Sequence, residues 1–244
     1  QKFFRVKELA GIIHPGTMTL VLSAPGGGKS TFLRLLGNRI KMDKGGKILC
    51  NNRTVQQATQ EQCDVRKLSQ YVDQTDSFIP ILTVNETLEF AHQMSSFNFT
   101  PSRVYDVISM LGLEECKDTL LGGATSGIKG CSGGQRRRVS IGEALVSDSA
   151  IMLLDEFSNG LDSSTAEDIA RSLRTWCHDN NTSVVATLSQ PTPELFALFD
   201  QIIVLREGEV IYDGPQDLVV PYFEAMGFAM PDDVDTADFL IDCL

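Results

Sequence analysis

The feature that most constrains this chain is a glycine-rich loop between a short apolar run and a helical pattern. Residues 17–23 (TMTLVLS) predict a buried β-strand, and a helical pattern runs from Lys29 to about Ile40. Glycines in such a loop let backbone N–H groups surround a phosphate, and the helix N-terminus adds donors and a positive dipole end. The sequence therefore predicts a phosphate-binding loop. Its residues are Ser23, Ala24, Pro25, Gly26, Gly27, Gly28, Lys29, Ser30 and Thr31.

This loop matches the pattern G-x-x-x-x-G-K-[ST] at every position except the first, where Ser23 replaces glycine. In such loops the lysine, here Lys29, reaches the β- and γ-phosphates of a nucleotide, and the next hydroxyl, Ser30, binds Mg²⁺. A glycine-rich strand-to-helix turn with a chance Lys-Ser is the alternative interpretation. The strand before the loop and the helix after it favour the nucleotide site.

A second candidate element is an apolar strand at 150–155 that ends in two acids. We expect Asp155 to hold Mg²⁺ through water opposite Ser30, and Glu156 to act as general base or water-orienting group. Taken alone, Asp-Glu after a strand is more simply the acidic start of a loop. Combined with the glycine-rich loop, it predicts a site for ATP and Mg²⁺.

Apolar runs alternate with helical patterns along the chain, which predicts an α/β core with a largely parallel sheet. We assign residues 1–82 and 148–244 to this ATP-binding core and residues 83–147 to an inserted helical subdomain. Further strands are predicted at 47–50, 68–72 and 183–187, a hairpin at 202–205 and 210–212, and helices at 83–96, 102–113, from Ser132, and at 163–177.

Composition excludes several classes of protein. The formal net charge is -11, which argues against nucleic acid as the main partner, since binders of phosphate backbones are usually basic. No apolar run approaches the roughly 18 residues of a spanning helix, so we expect this chain by itself to be soluble. The six cysteines show no metal-binding spacing, which favours reduced thiols.

A second glycine motif, Cys131-Ser132-Gly133-Gly134-Gln135, precedes a predicted helix. Ser132 is a good N-cap, and the glycines leave the helix N-terminus uncovered, so that end can bind a phosphate. The chain already has its own phosphate loop, and a second anion site therefore suggests ATP shared with a partner. An ordinary glycine-containing cap is the alternative.

In this order the motifs resemble those of the nucleotide-binding domain of an ATP-binding cassette (ABC) transporter. Residues 131–135 resemble the family signature LSGGQ, which contacts the γ-phosphate of ATP held by the opposing domain. Gln74 resembles the Q-loop glutamine, which senses Mg²⁺ and water, and residues 160–163, with Asp162, resemble the D-loop at the dimer interface. The resemblance implies a P-loop NTPase (RecA-like) core of mostly parallel sheet with antiparallel β elements, and an inserted α-helical subdomain carrying the signature.

Other segments are similar to the white/pleiotropic drug resistance branch of that family: residues 80–88 (PILTVNETL), 160–165 (GLDSST), 190–194 (QPTPE) and the tail at 214–240. The pattern resembles the N-terminal cassette of a full-size exporter. That resemblance implies membrane helices and a second cassette beyond Leu244, a position on the cytoplasmic face of a membrane, and transport of lipophilic or xenobiotic substrates.

One position departs from the family pattern, because Ser189 stands where the switch histidine is expected. Serine is shorter and cannot carry a positive charge. We therefore expect an asymmetric pair, in which the site on this chain binds ATP but hydrolyses it slowly while its signature completes a faster site on the partner. The resemblance implies catalytic roles for Glu156, Lys29, Gln74 and Ser189; metal ligation by Ser30, Gln74 and Asp155; and nucleotide contacts by the loop residues, Ser132, Gly133, Gly134, Gln135 and Asp162.

Three further interpretations concern single residues. The run at 136–138 (RRR) is expected to be a solvated helix face rather than a nucleic-acid site. His14, His92 and His178 are expected on the surface or a helix face. Phe3 or Phe4 could stack on adenine, or equally belong to the core.

Two other functions stay open from the residues. One is a soluble ABC ATPase of DNA repair or translation, although too few residues separate Gln74 from Ser132 for a long coiled-coil insertion. The other is a regulatory nucleotide-binding module that does not turn over. Ser23 and Ser189 favour this module, whereas Lys29, Asp155 and Glu156 oppose it.

Overall fold

The computed structural model describes residues 10–41, 47–50, 53–54, 68–96, 98–123 and 127–244. The strands are β1 Met18–Ser23, β2 Leu49–Cys50, β3 Arg53–Thr54, β4 Ser69–Val72, β5 Ile151–Leu154, β6 Ser183–Thr187, β7 Gln201–Arg206 and β8 Glu209–Pro215. The helices are α1 Lys29–Leu36, α2 Val84–Ser95, α3 Pro101–Met110, α4 Gly133–Leu145, α5 Ser163–Asn180, α6 Pro193–Phe196, α7 Val219–Ala225 and α8 Thr236–Asp242.

The main sheet has the strand order β4-β5-β6-β1-β7-β8. All neighbours pair in parallel except β8, which pairs antiparallel with β7, while β2 and β3 form a small separate antiparallel pair. In open parallel sheets, ligands bind beyond the carboxyl ends of the strands. The loop after β1 and the acids after β5 therefore share one edge of the sheet, and the predicted fold class is confirmed.

Two apolar clusters cover the faces of the sheet, which explains why β1 and β6 are buried along their whole length. One cluster packs Phe32 and Leu33 of α1 against Val21, Leu153 and Val185. The other, larger cluster includes α5 and the alternate residues of the same strands. Because successive strand residues point to opposite faces, near-continuous apolar runs are required here.

Helices dominate the segment between β4 and β5. Thr83 begins α2 with a reciprocal capping box to Glu86, and Pro101 occupies the first turn of α3, where its missing N–H is no loss. Helix α4 packs against both through Gly142, where an added Cβ would lie 2.9 Å from the Leu88 side chain. The limits of the helical subdomain, 83–147, stay a prediction.

Three predicted helix ends are wrong, each for a local reason. Helix α1 stops at Leu36 rather than near Ile40, because Gly37 and the left-handed Asn38 (φ 50°) end it. Helix α3 stops at Met110 before the left-handed Gly112, and α5 continues past Cys177 to Asn180, where Asn181 adopts φ 53°.

His92 lies on the buried face of α2, so of the two expected places it takes a helix face rather than the surface. Its Nδ1 lies 2.7 Å from the Val146 carbonyl oxygen, and its Nε2 accepts a hydrogen bond from the Thr100 N–H at 3.0 Å. These contacts tie α2 to the end of α4 and to the start of α3, which is a structural role. His14 and His178 are exposed, as expected. Phe3 and Phe4 lie outside the described residues.

The C-terminal part of the chain closes the sheet with a hairpin. Glu207 and Gly208 both have positive φ (47° and 82°), as a two-residue hairpin turn requires. Helices α7 and α8 then pack back on the core through Phe223, Phe239 and Leu240. In the part of the chain that the structure describes, no helix combines the length and apolar character needed to cross a bilayer.

Glu143 provides a test of how α4 packs beside β4. It lines a cavity of about 370 Å³ beside β4, and burial, together with the charge of Asp76, raises its pKa to about 7 from 4.5. Because folding raises the pKa of this carboxyl group, its contribution to the free energy of unfolding is fully present below about pH 4.5. That contribution is lost as the pH rises through 7. We expect Glu143→Gln to remove that loss, on the order of 2 kcal/mol.

The measurement is urea unfolding of both proteins between pH 4.5 and pH 8. Glu224→Gln, at an exposed position, is the control for removing one carboxylate. Parallel pH profiles for the parent chain and Glu143→Gln would contradict this interpretation.

Candidate functional site

The loop between β1 and α1 keeps the backbone shape that a phosphate needs. Gly26 and Gly28 have φ 78° and 104°, in the left-handed region that side chains disfavour. Gly28 is the N-cap of α1 and offers no capping side chain, so the first N–H groups of the helix stay available to an anion. The loop is therefore shaped as a phosphate site by its backbone.

Ser23, the departure from the motif, lies buried at the start of this loop. Its side chain is buried and its hydroxyl donates to the Ala24 carbonyl oxygen at 3.0 Å. A Cβ added to Gly27 would lie 2.7 Å from the Ser23 Oγ, so serine at the first position makes glycine at the fifth obligatory. The Ser23 side chain therefore fills space inside the loop and leaves the side that faces a phosphate free.

Lys29 joins the loop to the acids after β5. Its Nζ lies 3.4 Å from the Glu156 Oε1 and 3.4 Å from the Ser23 carbonyl oxygen, and the two side chains are only 11% and 8% exposed. An ammonium in this position can contact a phosphate placed on the loop. The structure therefore brings the predicted lysine and the predicted base into direct contact.

The three predicted metal ligands also converge. The Ser30 hydroxyl donates to Asp155 Oδ1 at 3.1 Å, and the Gln74 side-chain amide lies 3.1 Å from Ser30 Oγ and 3.3 Å from Asp155 Oδ1. Hydroxyl, carboxylate and amide oxygens are the donors that Mg²⁺ takes in proteins. Rotation of the Gln74 amide would present its oxygen to the same point. These residues fit a magnesium ion.

Two residues that the sequence analysis missed hold Asp155 in place. The Tyr71 hydroxyl donates to Oδ2 at 2.8 Å, and the Thr187 hydroxyl donates to Oδ1 at 2.8 Å. Burial, reinforced by the hydrogen bond to Asp155, raises the pKa of Tyr71, which therefore stays a neutral donor. In the sequence, each residue shows only that it lies near the carboxyl end of a predicted strand, and the structure alone reveals that both strands neighbour β5.

Glu156 follows in an unusual backbone conformation. Its φ is 49°, a left-handed value that costs a non-glycine residue roughly 1–2 kcal/mol. The Glu156 N–H donates to Thr187 Oγ1 at 2.9 Å, and the Ser189 hydroxyl donates to Glu156 Oε1 at 2.6 Å. Ser189, which is predicted to stand in the switch position, therefore touches the predicted base. Phe157 beside it is fully buried.

The signature residues form the N-terminus of α4. Ser132 accepts from the Gln135 N–H at 3.2 Å, while the Gln135 side chain accepts from the Ser132 N–H at 2.8 Å. Nothing stands within 4 Å of a Cβ added at Gly133, so that face of the helix end is open. Gly134 approaches the Gly160 carbonyl oxygen, which puts the predicted D-loop beside the signature.

Asp162 serves in this structure as the N-cap of α5. Its carboxylate accepts from the Thr165 N–H at 2.9 Å and from the Ser164 and Thr165 hydroxyls, and these hydrogen bonds, with Ser164 first, lower its pKa. Capping explains this residue locally. A direct contact of Asp162 with nucleotide stays a prediction.

The prediction of a solvated arginine face at 136–138 is wrong. Arg137 is only 1% exposed, because it points into the core, where carbonyl groups at the end of β5 accept its hydrogen bonds. Arg136 and Arg138 are half-buried and donate to the carbonyl oxygens of Cys131 and Leu111 at 2.7 and 2.9 Å. Buried backbone acceptors, rather than water, decide the place of these side chains.

Comparison with known proteins identifies the group to which these motifs point. Residues 6–159 match a family model described as ABC transporter, and residues 189–244 match one described as ABC-2 type transporter. ABC transporter G family member 31 of Arabidopsis thaliana is 37% identical over 96% of this chain, and G family member 51 of Oryza sativa subsp. japonica is 36% identical over 98%. The chain spans about a fifth of the length of these curated relatives, 19% in each case.

Solved structures agree on the fold. A bacterial ABC transporter cassette solved as a dimer is 25% identical, with a TM-score of 0.70 over 84% of this chain and 88% of that chain. An Atm1-family bacterial ABC exporter with ATP bound is 23% identical, with a TM-score of 0.70 over 91% of this chain and 38% of that chain. The family resemblance and the G-type branch expected from the motifs are confirmed.

Thr187 provides a test of the network around the acids. Thr187→Val removes the hydroxyl that donates to Asp155 and accepts from the Glu156 N–H. Asp155 Oδ1 keeps its hydrogen bonds from Ser30 and Gln74, so the group left unsatisfied is the buried Glu156 N–H, at a cost of about 1–3 kcal/mol. We expect a loss of that size in urea unfolding. Thr187→Ser, which keeps the hydroxyl, should lose only the methyl group, about 1 kcal/mol. Equal losses in the two variants would contradict the assigned hydrogen bonds.

Proposed function

We propose that this chain, which belongs to the ABC transporter family, is the ATP-binding and hydrolysing domain of a membrane exporter. The observation that carries the proposal is the contact network in which Lys29 meets Glu156 and Ser30 meets both Gln74 and Asp155. Three features meet there at one edge of the sheet: a loop whose backbone suits a phosphate, a cluster of side chains suited to bind a metal ion, and a carboxylate placed to act as general base. Together they suit hydrolysis of a Mg-nucleotide.

In this proposal each group has a distinct task. The loop backbone and Lys29 bind the β- and γ-phosphates of ATP. Ser30, Asp155 and Gln74 would hold Mg²⁺, which would neutralise charge on the phosphates. Glu156 orients a water and takes its proton as the water oxygen bonds to the γ-phosphorus. The bond from that phosphorus to the bridging oxygen breaks, and ADP and inorganic phosphate result.

The signature end of α4 supports a second, paired site. Its open Gly133 face and its helix N-terminus suit the γ-phosphate of ATP held by another cassette, arranged head to tail. Each closed site then requires both partners, so ATP joins the two cassettes and hydrolysis releases them. Closure would be passed to membrane helices through the surface near Gln74 and the helical subdomain.

The relatives support a place for this chain within a longer protein. We propose the N-terminal cassette of a full-size pleiotropic-drug-resistance-type exporter on the cytoplasmic face of a membrane. A membrane domain and a second cassette are its partners, and its cargo is lipophilic or xenobiotic. Residues 1–82 and 148–244 are proposed as the ATP-binding core and 83–147 as the signature subdomain.

One observation favours a second candidate, a hydrolysis-poor regulatory module in the same transporter. Ser189 donates a hydrogen bond to the Glu156 carboxylate, where a histidine would bring a cation close to the γ-phosphate. Under this alternative the chain binds ATP and stays closed while the partner site turns over. A soluble repair or translation ATPase gains no support from the match of residues 189–244 to the ABC-2 type model.

The first test separates binding from hydrolysis. We expect Lys29→Ala to weaken Mg-ATP binding roughly 10- to 100-fold, because one charge-assisted contact to phosphate is lost. Lys41→Ala, at an exposed lysine outside the site, is the control and should bind as the parent does. Calorimetry with the full-length transporter measures both, and unchanged affinity in Lys29→Ala would refute the loop assignment.

A second test concerns the asymmetry of the pair. Glu156→Gln should leave Mg-ATP affinity intact and lower hydrolysis at its own site about 10²- to 10⁴-fold, the usual contribution of a general base. Steady-state turnover of the full-length transporter should fall less than when the partner cassette's glutamate is changed. An equal fall in turnover in the two variants would contradict the proposed asymmetric pair.

A third test restores the missing side chain. Ser189 is exposed, so a larger ring has space there. We expect Ser189→His to raise single-turnover hydrolysis at this site about tenfold or more, because an imidazole can help organise the water and the γ-phosphate. Ser189→Ala, which only removes the hydroxyl, is the matched control. If both variants hydrolyse ATP at the same rate, serine does not limit the site.

A further inference from the structure

Arg137 uses every hydrogen-bond donor of its guanidinium inside the protein. A guanidinium carries five N–H groups. In this side chain, which is 1% exposed, the five recorded bonds are Nε to the Phe157 carbonyl oxygen at 3.1 Å, Nη1 to the Asp73 carbonyl oxygen at 2.6 Å and to Asp76 Oδ1 at 3.1 Å, and Nη2 to the Asp155 and Glu156 carbonyl oxygens at 2.9 and 3.1 Å.

Two of these acceptors determine the backbone of Glu156. The carbonyl groups of Asp155 and Glu156 belong to the two peptide units on either side of the Glu156 Cα, and one nitrogen, Nη2, bonds to both. Fixing both peptide planes fixes φ and ψ between them. The φ of Glu156 is 49°, which a non-glycine residue keeps only when its surroundings impose it.

This backbone conformation aims the Glu156 carboxylate. With it, Oε1 lies 2.6 Å from Ser189 Oγ and 3.4 Å from Lys29 Nζ. Relaxation of Glu156 toward ordinary φ values would rotate the peptide units and turn the side chain away from the phosphate loop. The position of the base is therefore tied to Arg137.

The same guanidinium also holds the segment that carries Gln74. Nη1 bonds on one side of Gln74 to the Asp73 carbonyl oxygen and on the other side to the Asp76 carboxylate. Asp76 in turn accepts from the Ser140 hydroxyl at 2.7 Å, one turn further along α4. Arg137 thus joins the signature helix, the Gln74 segment and the Glu156 backbone at one point.

We propose that Arg137 is a positioning residue for ATP hydrolysis, which holds Glu156 in its working conformation and links that conformation to the position of the signature helix. The inference rests on the proposed function of the site. Arg137 does not contact the loop, and it acts on hydrolysis through the Glu156 backbone, while its bonds beside Gln74 anchor the guanidinium. Lysine has three donors on one nitrogen, so it can replace only part of this set of bonds.

The experiment uses the full-length transporter with glutamine in place of the partner cassette's general base, so that remaining hydrolysis reports the site on this chain. Single-turnover hydrolysis of radiolabelled Mg-ATP is followed for hours, and ATP affinity is measured in parallel. The variants are Arg137→Gln, Arg137→Lys and, as matched control, Arg138→Gln, whose arginine bonds to Leu111 and Gly112 instead.

We expect Arg137→Gln to lower the hydrolysis rate about 10- to 100-fold with ATP affinity within about threefold, because a displaced base loses rate rather than binding. The hydrolysis rate of Arg137→Lys should lie between those of the parent and Arg137→Gln. If the glutamine variant does not fold, the lysine variant is used for the test. Arg138→Gln should stay within about twofold of the parent. Combined with Glu156→Gln, Arg137→Gln should slow hydrolysis no further, since both changes remove the same base.

Each opposite result has its own meaning. Parent-like hydrolysis by Arg137→Gln overturns the inference, and so does a rate that falls only in proportion to lost affinity or melting temperature, which a merely structural role would give. Additive losses with Glu156→Gln also overturn it. If the parent hydrolyses no faster than Glu156→Gln, hydrolysis at this site is itself refuted, and the role of Arg137 falls with it.

Discussion

The nucleotide end of this protein depends on one carboxyl group, Asp155, that is wholly removed from water. Burying such a group is costly unless its oxygens are hydrogen-bonded. Hydroxyl donors from three separate elements satisfy it: Ser30 on α1, Tyr71 on β4 and Thr187 on β6. The need to satisfy this single side chain therefore fixes the loop, two strands and the metal-type cluster relative to one another.

The sequence predicted those site residues whose role can be recognised from their neighbours along the chain. Lys29 and Glu156 each lie in a short run whose neighbours along the chain reveal the function. Tyr71 and Thr187 escaped prediction because their partner lies on another strand, and a lone hydroxyl in a strand has no distinctive spacing. Arg137 was predicted wrongly, because arginines are rarely buried and only the fold reveals the carbonyl groups that accept its bonds.

The substitution at Ser189 falls where the structure can tolerate it. Thr187 is buried, Ser30 and Tyr71 are partly buried, and all three donate to Asp155, whereas Ser189 is exposed and contacts Glu156. In the proposed site, serine in place of histidine leaves the hydrogen bonds of Asp155 unchanged. Under that proposal, ATP binding and ATP hydrolysis depend on different residues, and a cassette that keeps the first can lose rate in the second.

Helix α4 gives a physical route between the two nucleotide sites proposed above. Its first turn presents Ser132 and Gly133 outward, toward the place proposed for the partner's ATP, while Arg137, at the next turn, faces inward to the Glu156 backbone. A helix transmits displacement along its axis as a rigid body over so short a distance. If ATP on the partner shifts the first turn, the peptide units around Glu156 must respond. By linkage, the state of Glu156 must then change the partner's affinity by the same factor, so the coupling is reciprocal.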